Sequence, residues 1–413
     1  MENILKSKKF QLLFLGIIGL GVLIVFFYEG IRGKYFVSLA IIFLFSMFFH
    51  YCNIKKSSNH LLNLLGIDRS KNRNLAYDYL RVLATLFVIL THAIQADIAY
   101  GPVPTKDVLV LTLIYTLTLS CNLIFIMVSG ALLLRDKNES TLDFYLKRII
   151  KVVVPMFIYY LFYMWKHQQL QILSFNTILN VLKTFLVGNF SVCPHYWFFY
   201  MIISLYVFVP FLRYLMKNIS YKVLSEMVLV SLIFMTLNIL PINFAFNSPF
   251  GAHLGVMIIG YWLSLSETRK YDKKILIMSL IATFSLISIG VVIREKDSFL
   301  AIVADCSPIM CFISMGIFIC AILINKNDTR KHNLLMFISK YSYSILLLHW
   351  GILYYVVRGY LHINITSYNY FGIIVSLIST LAVSAVGAFV VDNCIIFPIL
   401  QIFKCLVKKR VLK

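Results

Sequence analysis

The chain has 413 residues, of which 60% are hydrophobic and only 13% charged, and its mean hydropathy is +0.85. A water-soluble domain of this size needs far more surface charge, so the composition excludes one and implies a polytopic helical membrane protein. The net charge of +21 is no nucleic-acid footprint, because the lysines and arginines sit in short clusters between apolar spans, where membrane topology places them.

Runs long enough to cross a hydrocarbon core of about 30 Å lie at 10–28, 35–52, 76–97, 109–134, 147–164, 196–216, 222–240, 249–265, 274–293, 305–324, 340–357 and 370–397. They predict an all-α fold, a polytopic transmembrane bundle of ten core spans preceded by a two-helix hairpin. The basic start and first apolar run resemble a signal peptide. Tyr28-Glu29-Gly30 is a poor cleavage site, however, so a retained span is expected. Residues 1–75 form the hairpin and a polar linker with a short amphipathic piece, Leu61 to Ile67. Residues 76–397 form the ten-span domain, and 398–413 a basic tail. Between the fifth and sixth spans, Ile172 to Leu186 has the spacing of a helix lying along the interface. The eight cysteines show no paired framework and no CxxC spacing; they read as small apolar packing residues, a Cys193–Cys306 bridge being conceivable.

Loop charges orient the chain. Counting sides alternately from the N-terminus, the opposite side holds only Arg32, Lys34, Lys106, Lys166, Lys183, Arg294, Lys296 and Arg358. Apart from Arg81, which lies inside a span, every other lysine and arginine falls on the N-terminal side. Both termini are therefore expected in the cytoplasm, with the protein in the cell membrane.

The third run, 76–97, is the anomaly. It carries Asp78, Arg81 and His92 in an otherwise apolar span. Arg81 and His92 are eleven residues apart, roughly three helical turns with about 20° left over, so they share a face about 16 Å apart along the axis. Thr85 and Gln95 fall near the same stripe. Ionisable groups in lipid are costly and usually face a protein interior with partners. The orientation puts Arg81 near the inner face and His92 in the outer half. A titratable imidazole there suits a general base. The bland alternative pairs Arg81 with Asp78 and packs His92 against a neighbouring helix.

Asp78-Tyr79-Leu80-Arg81, ten residues and then His92 resembles the first core helix of the acyltransferase family 3 membrane O-acyltransferases. Asn122 to Leu134 with its Ser129-Gly130 pair resembles that family's second helix. Phe144-Tyr145-Leu146-Lys147-Arg148 to Pro155 resembles the basic entry to its third. His195-Tyr196-Trp197-Phe198 with Pro210, Gly251 to Tyr261, and Ser342-Tyr343-Ser344 to His349 are similar to its later signatures. The sequence departs from the family at Leu346, where a tyrosine is usual, at Trp350, where proline is usual, and in its mixed Lys/Arg basic pair.

The resemblance implies transfer of an acyl group, by default acetyl and alternatively succinyl, from cytoplasmic acyl-coenzyme A. The acceptor is a hydroxyl of an extracytoplasmic polysaccharide or lipid-linked glycan. It implies no permanently bound cofactor, with acetyl-CoA as donor substrate, and membrane lipids but no nucleic acid as surroundings. His92 matches the proposed catalytic histidine and Arg81 the essential arginine. Lys147, Arg148 and Lys151 are candidates for the donor phosphates, or simply positive-inside charge. Asn122 and Ser129, on one helix face, either supply an oxyanion donor or pack helices. Trp197 beside His195 is either an interfacial anchor or a sugar-stacking platform. His253 is placed at the border of the acceptor cleft, and His349 is structural or a substrate contact. Asp305, at a span's outer mouth, pairs with a histidine or binds sugar hydroxyls. Whether an acyl-enzyme forms stays open.

A second expectation is a transporter or flippase of a lipid-linked glycan, since twelve spans with both ends inside suit one; against it stands the lack of repeat symmetry. A third is a domain that hands its acyl group to a separate extracytoplasmic partner, because no fused esterase-like domain follows the last span. A homo-oligomer is also open. The richness in Ile, Lys and Asn suggests an AT-rich bacterial source.

Overall fold

The computed structural model describes residues 5–28, 34–66, 74–100, 105–167, 175–188, 192–237, 252–292, 306–327, 332–363 and 365–401. Asp305, the linker cations Arg69, Lys71 and Arg73, and the basic tail from 402 onward lie outside them. The fold is all-α, a polytopic helical bundle with no strand among the described residues. Lipid offers no partner to backbone N–H and C=O groups, so apolar runs of this length close their hydrogen bonds within helices. Among the described residues, seven segments are long and apolar enough to cross a membrane by length and composition: 75–95, 109–133, 141–166, 194–218, 266–292, 308–325 and 371–401. Outward-facing side chains such as Leu280, Phe284 and Leu229 are large and apolar, as a lipid-facing surface requires.

Helices α1 (Lys8–Tyr28) and α2 (Lys34–Lys56) pair as the hairpin, and a short α3 (His60–Leu64) follows. The ionisable span is α4 (Leu75–Tyr100). It is the hub of the bundle, with α5 (Thr105–Thr118), α6 (Ser120–Leu133), α14 (Pro308–Asn327), α15 (Asn333–Gly351) and α16 (Ile365–Val391) packed around it. In order between α6 and α14 come α7 (Thr141–Arg148), α8 (Val154–Lys166), α9 (Phe175–Val187), α10 (Trp197–Asn218), α11 (Tyr221–Leu237), α12 (His253–Leu263) and α13 (Asp272–Val292).

The run expected as one helix at 109–134 breaks at a turn on Leu119. Thr118 Oγ donates to the Tyr115 carbonyl at 2.6 Å and Ser120 Oγ to that of Leu117 at 2.7 Å. The Tyr115 carbonyl also keeps the Leu119 N–H, at 3.2 Å, and both hydroxyls are bonded locally to the backbone at the turn, which suits an apolar setting. Further along, the α6 and α12 backbones approach closely. A Cβ on Gly130 would strike the Met257 backbone, and one on Gly260 the Met127 backbone. Reciprocal glycines let two backbones meet without side chains between them.

Three π-helical turns interrupt the bundle, at Ile149–Val153, Ile352–Arg358 and Asp392–Ile396. Such turns are rare and gather at functional sites. Here the first and third line a cavity, and the second begins three residues beyond His349.

The hairpin is fastened to the third π turn by polar contacts. Ser46 Oγ and His50 Nε2 both donate to the Asn393 carbonyl, at 2.9 and 3.0 Å. His50 Nδ1 meets His60 Nε2 at 2.9 Å, and the His50 ring stacks on Phe397. Cys193 and Cys306 are free thiols, so the bridge the layout admits is not formed.

Candidate active site

Two cavities lie end to end along α4. The larger, about 720 Å³, is lined by Arg81, Ser129, Arg148, Lys151, Tyr206, Lys340, Tyr343 and Asp392 among others. The smaller, about 200 Å³, is lined by Thr91, His92, Gln95, Tyr115, Cys121, Asn122, His195, Trp197 and His349. Phe198, Phe199 and Leu346 line both, so they form the wall between them. One helix thus presents Arg81 to the basic cavity and His92 to the histidine cavity, so two residues about 16 Å apart along its axis stand in different chambers.

In the basic cavity Arg81 is a third exposed, with Nη1 4.0 Å from Asp78 Oδ1, too long for a hydrogen bond. Asp78 itself is buried and accepts from Ser339 Oγ at 2.5 Å, so it ties α4 to α15 and does not line the cavity. Arg148 lies over the Phe144 and Tyr206 rings, 5.1 and 5.7 Å from their centroids. Lys151 stands on the first π turn. Lys340 Nζ donates to the Leu64 carbonyl at 2.7 Å, and Tyr341 OH to the same carbonyl at 2.6 Å. The linker therefore forms part of the wall, which Leu64 lines directly. Asp392 accepts from Tyr159 OH at 3.0 Å and from Ser344 Oγ at 2.7 Å, the neutral donors a buried carboxylate needs.

Lys147 is not brought here. It donates to Glu139 Oε1 at 2.7 Å, while Arg213 donates to Glu139 Oε2 at 3.0 Å. The Lys147 hydrogen bond holds the Glu139 carboxyl below the usual carboxylate range, helped by Arg213. This triad fixes the start of α7 against α10.

Among the described residues, the histidine cavity is lined by no lysine, arginine, aspartate or glutamate. His349 is the middle of three imidazoles, with ring centroids 5.2 Å from both His92 and His195. Trp350 stacks on His195 and meets His92 edge-on. His349 Nδ1 lies 2.7 Å from the Leu346 carbonyl, and His195 Nε2 3.2 Å from the Leu347 carbonyl. His92 Nδ1 lies 3.3 Å from Gln95 Oε1. His349 Nε2 and His195 Nδ1 are buried with no hydrogen-bond partner. An orphaned acceptor of this kind costs about 1–3 kcal/mol. The break at Leu119 shapes the opposite wall, where Thr91 Oγ donates to Thr118 Oγ at 2.7 Å and Asn122 follows the turn.

Of the residues marked in the sequence, Arg81, Ser129, Arg148 and Lys151 meet in the basic cavity, and His92, Asn122, Trp197 and His349 in the histidine cavity. Asn122 and Ser129 share a helix face, yet they serve different chambers. His253 lines neither; it begins α12. Asp392 and Asn393 were passed over in the sequence, although one acidic residue in the long apolar run 370–397 was a signal. Lys340 counted there only as a loop cation, and His195 only as part of a family signature beside Trp197. Nothing in the sequence announced that the linker at Leu64 reaches the basic cavity.

A family profile described as an acyltransferase domain, acyltransferase family 3, matches residues 74–391. None of the curated proteins and none of the solved structures matches the chain. The matched stretch holds Arg81, His92, the wall between the cavities and all three histidines, and it spans most of the membrane-crossing helices. The chain therefore belongs to the acyltransferase 3 family and is a membrane acyltransferase.

Proposed function

We propose that the protein moves an acyl group, acetyl first and succinyl second, from acyl-coenzyme A in the basic cavity to a glycan hydroxyl in the histidine cavity. The observation that carries this reading is the pair of chambers sharing the wall of Phe198, Phe199 and Leu346, cations on one side and imidazoles on the other. Arg81, Arg148 and Lys151 suit the donor's phosphates. The pantetheine arm, thin and uncharged, passes the apolar wall and brings the thioester to His92. By the positive-inside distribution, the basic cavity opens to the cytoplasm and the histidine cavity to the other face of the cell membrane.

His92 acts through Nε2. Its Nδ1–H faces Gln95 Oε1, which leaves the other nitrogen as the base. As the glycan oxygen attacks the thioester carbonyl, its proton passes to Nε2 and the new C–O bond forms. The Asn122 amide lines the same cavity and is the candidate donor for the developing oxyanion. Collapse breaks the C–S bond, and the imidazolium returns the proton to the leaving thiolate. The products are the O-acyl glycan and free coenzyme A, with no acyl-enzyme required. The acceptor is a polysaccharide or lipid-linked glycan that reaches the membrane, and a separate extracytoplasmic protein is a further possible recipient.

The test uses the full chain purified in detergent with radiolabelled acetyl-CoA and a soluble glycoside acceptor. Acceptor-dependent release of coenzyme A with label on the glycoside is expected. Acetyl-CoA left intact, with a lipid-linked glycan crossing proteoliposomes instead, would replace this reading with the flippase one.

A further inference from the structure

The hairpin and α3 precede the residues that match the family, yet they reach the basic cavity. Gln11 is fully buried in the apolar helix α1, and both ends of its amide are spent on the linker. Its Nε2 donates to the Ser58 carbonyl at 2.6 Å, and its Oε1 accepts from the Leu61 N–H at 3.2 Å. A buried amide in an apolar helix is costly unless it is paired, so this pairing pins α3 to α1. From α2, His50 holds the same segment through His60.

The pinned segment ends on Lys340. The Asn63 and Leu64 carbonyls both accept from Lys340 Nζ, the second at 2.7 Å. Gly66 then turns in the left-handed region, with φ +76°, and a Cβ there would stand 3.1 Å from the Met336 carbonyl oxygen and 3.3 Å from Lys340 Cδ. Glycine suits both the turn and the close approach. The linker backbone thus lies against the Lys340 stem as well as its ammonium group. Lys340 is exposed and lines the basic cavity together with Arg81, Arg148 and Lys151. Carbonyls orient an ammonium without neutralising it. Asp392, in the same lining, has one oxygen on Tyr159 OH and the other on Ser344 Oγ.

We propose that Lys340 is a further binding residue for the phosphates of the donor, and that the hairpin, acting through the linker carbonyls, is its positioning element. This rests on the acyl-coenzyme A reading of the basic cavity and gives the hairpin a task in it. A lysine ammonium on a flexible four-carbon stem samples many positions. Held at Asn63 and Leu64, it meets a phosphate already ordered and loses less freedom on binding. Gln11 touches the linker and is not in the cavity lining, so it acts on the donor only through this chain of contacts.

The experiment uses the full chain in detergent with radiolabelled coenzyme A, so that donor binding is read apart from transfer. Lys340→Gln keeps N–H donors for the linker carbonyls but removes the charge. It should weaken coenzyme A binding by about tenfold, the loss of one charge-assisted contact, and raise the KM for acetyl-CoA alike with little change in kcat. Lys340→Arg, which keeps the charge, should recover most of that loss. Gln11→Leu should weaken binding by about threefold or more in the wild-type background and add nothing to Lys340→Gln. If Gln11→Leu fails to fold on size exclusion, Gly66→Ala replaces it as the linker variant. Wild-type affinity in Lys340→Gln overturns the donor role. A linker variant with the same effect in both backgrounds, or with none in either, overturns the positioning. Coenzyme A binding that depends on Lys340, without acetyl transfer, leaves the proposal standing and overturns the acyltransfer reading instead.

Discussion

The two cavities are built on opposite principles. The basic cavity takes its polar groups from distant parts of the chain, the linker at Leu64, α4, the first π turn, α15 and the third π turn. Its cations sit among neutral donors and aromatic rings. The histidine cavity is less than a third of the volume, has no formal charge among its described residues and concentrates three imidazoles, two of them held by backbone carbonyls. In the proposed reaction the difference separates two tasks. Holding a polyanionic donor needs flexible charge at an open mouth, whereas proton transfer needs one nitrogen kept basic in a dry place. A wall of three apolar side chains keeps the charges of one chamber from protonating or distracting the other.

The largest expected effect comes from removing the base. His92→Ala should lower acyl transfer by about 10²–10⁴-fold, with unchanged elution on size exclusion and unchanged binding of coenzyme A. Next is the wall. Leu346→Trp adds bulk between the chambers, and we expect transfer to fall by about tenfold or more while donor affinity is retained; equal loss of both would mean that the cavities are not separate stations. Arg81→Ala should act on the donor side alone, raising the KM for acyl-CoA by about tenfold, the loss of one charge-assisted contact, with little change in kcat. A matching fall in kcat would place Arg81 in the chemistry instead.

How much of this could be read in advance varies along the chain. The helices were legible because apolar runs in lipid have one solution. The 76–97 span was legible because three ionisable groups in an apolar helix demand an interior role. The break at Leu119 was not, since its hydroxyls at Thr118 and Ser120 look like ordinary helix polarity until they are seen bonding to Tyr115 and Leu117. Lys147 and Lys151 are four residues apart and equivalent by spacing, yet Glu139, distant in the fold's logic but near in sequence, takes the first. A π turn between them also shifts the phase. Asp392 and the linker belong to the basic cavity through contacts hundreds of residues apart, which no local pattern encodes.

The smallest expected effect concerns the hairpin, most of which lies outside the matched stretch. Burial, with His50 and Lys340 nearby, holds His60 down to about 4 against an ordinary value of 6.5. The docked linker thus keeps His60 neutral, while a released linker takes up a proton as pH falls below about 6.5. Docking should therefore weaken progressively from pH 6.5 toward 4. Limited proteolysis of the linker should accelerate across that window, and His60→Phe, which cannot titrate, should flatten the dependence.

The most direct measurement of the central claim is an electron cryo-microscopy map of the full chain with coenzyme A bound. The account predicts phosphate density beside Arg81, Arg148 and Lys151 and the thiol end beyond Phe198, Phe199 and Leu346, within reach of His92. A thiol that stays in the basic cavity, or coenzyme A seated elsewhere on the bundle, would contradict it.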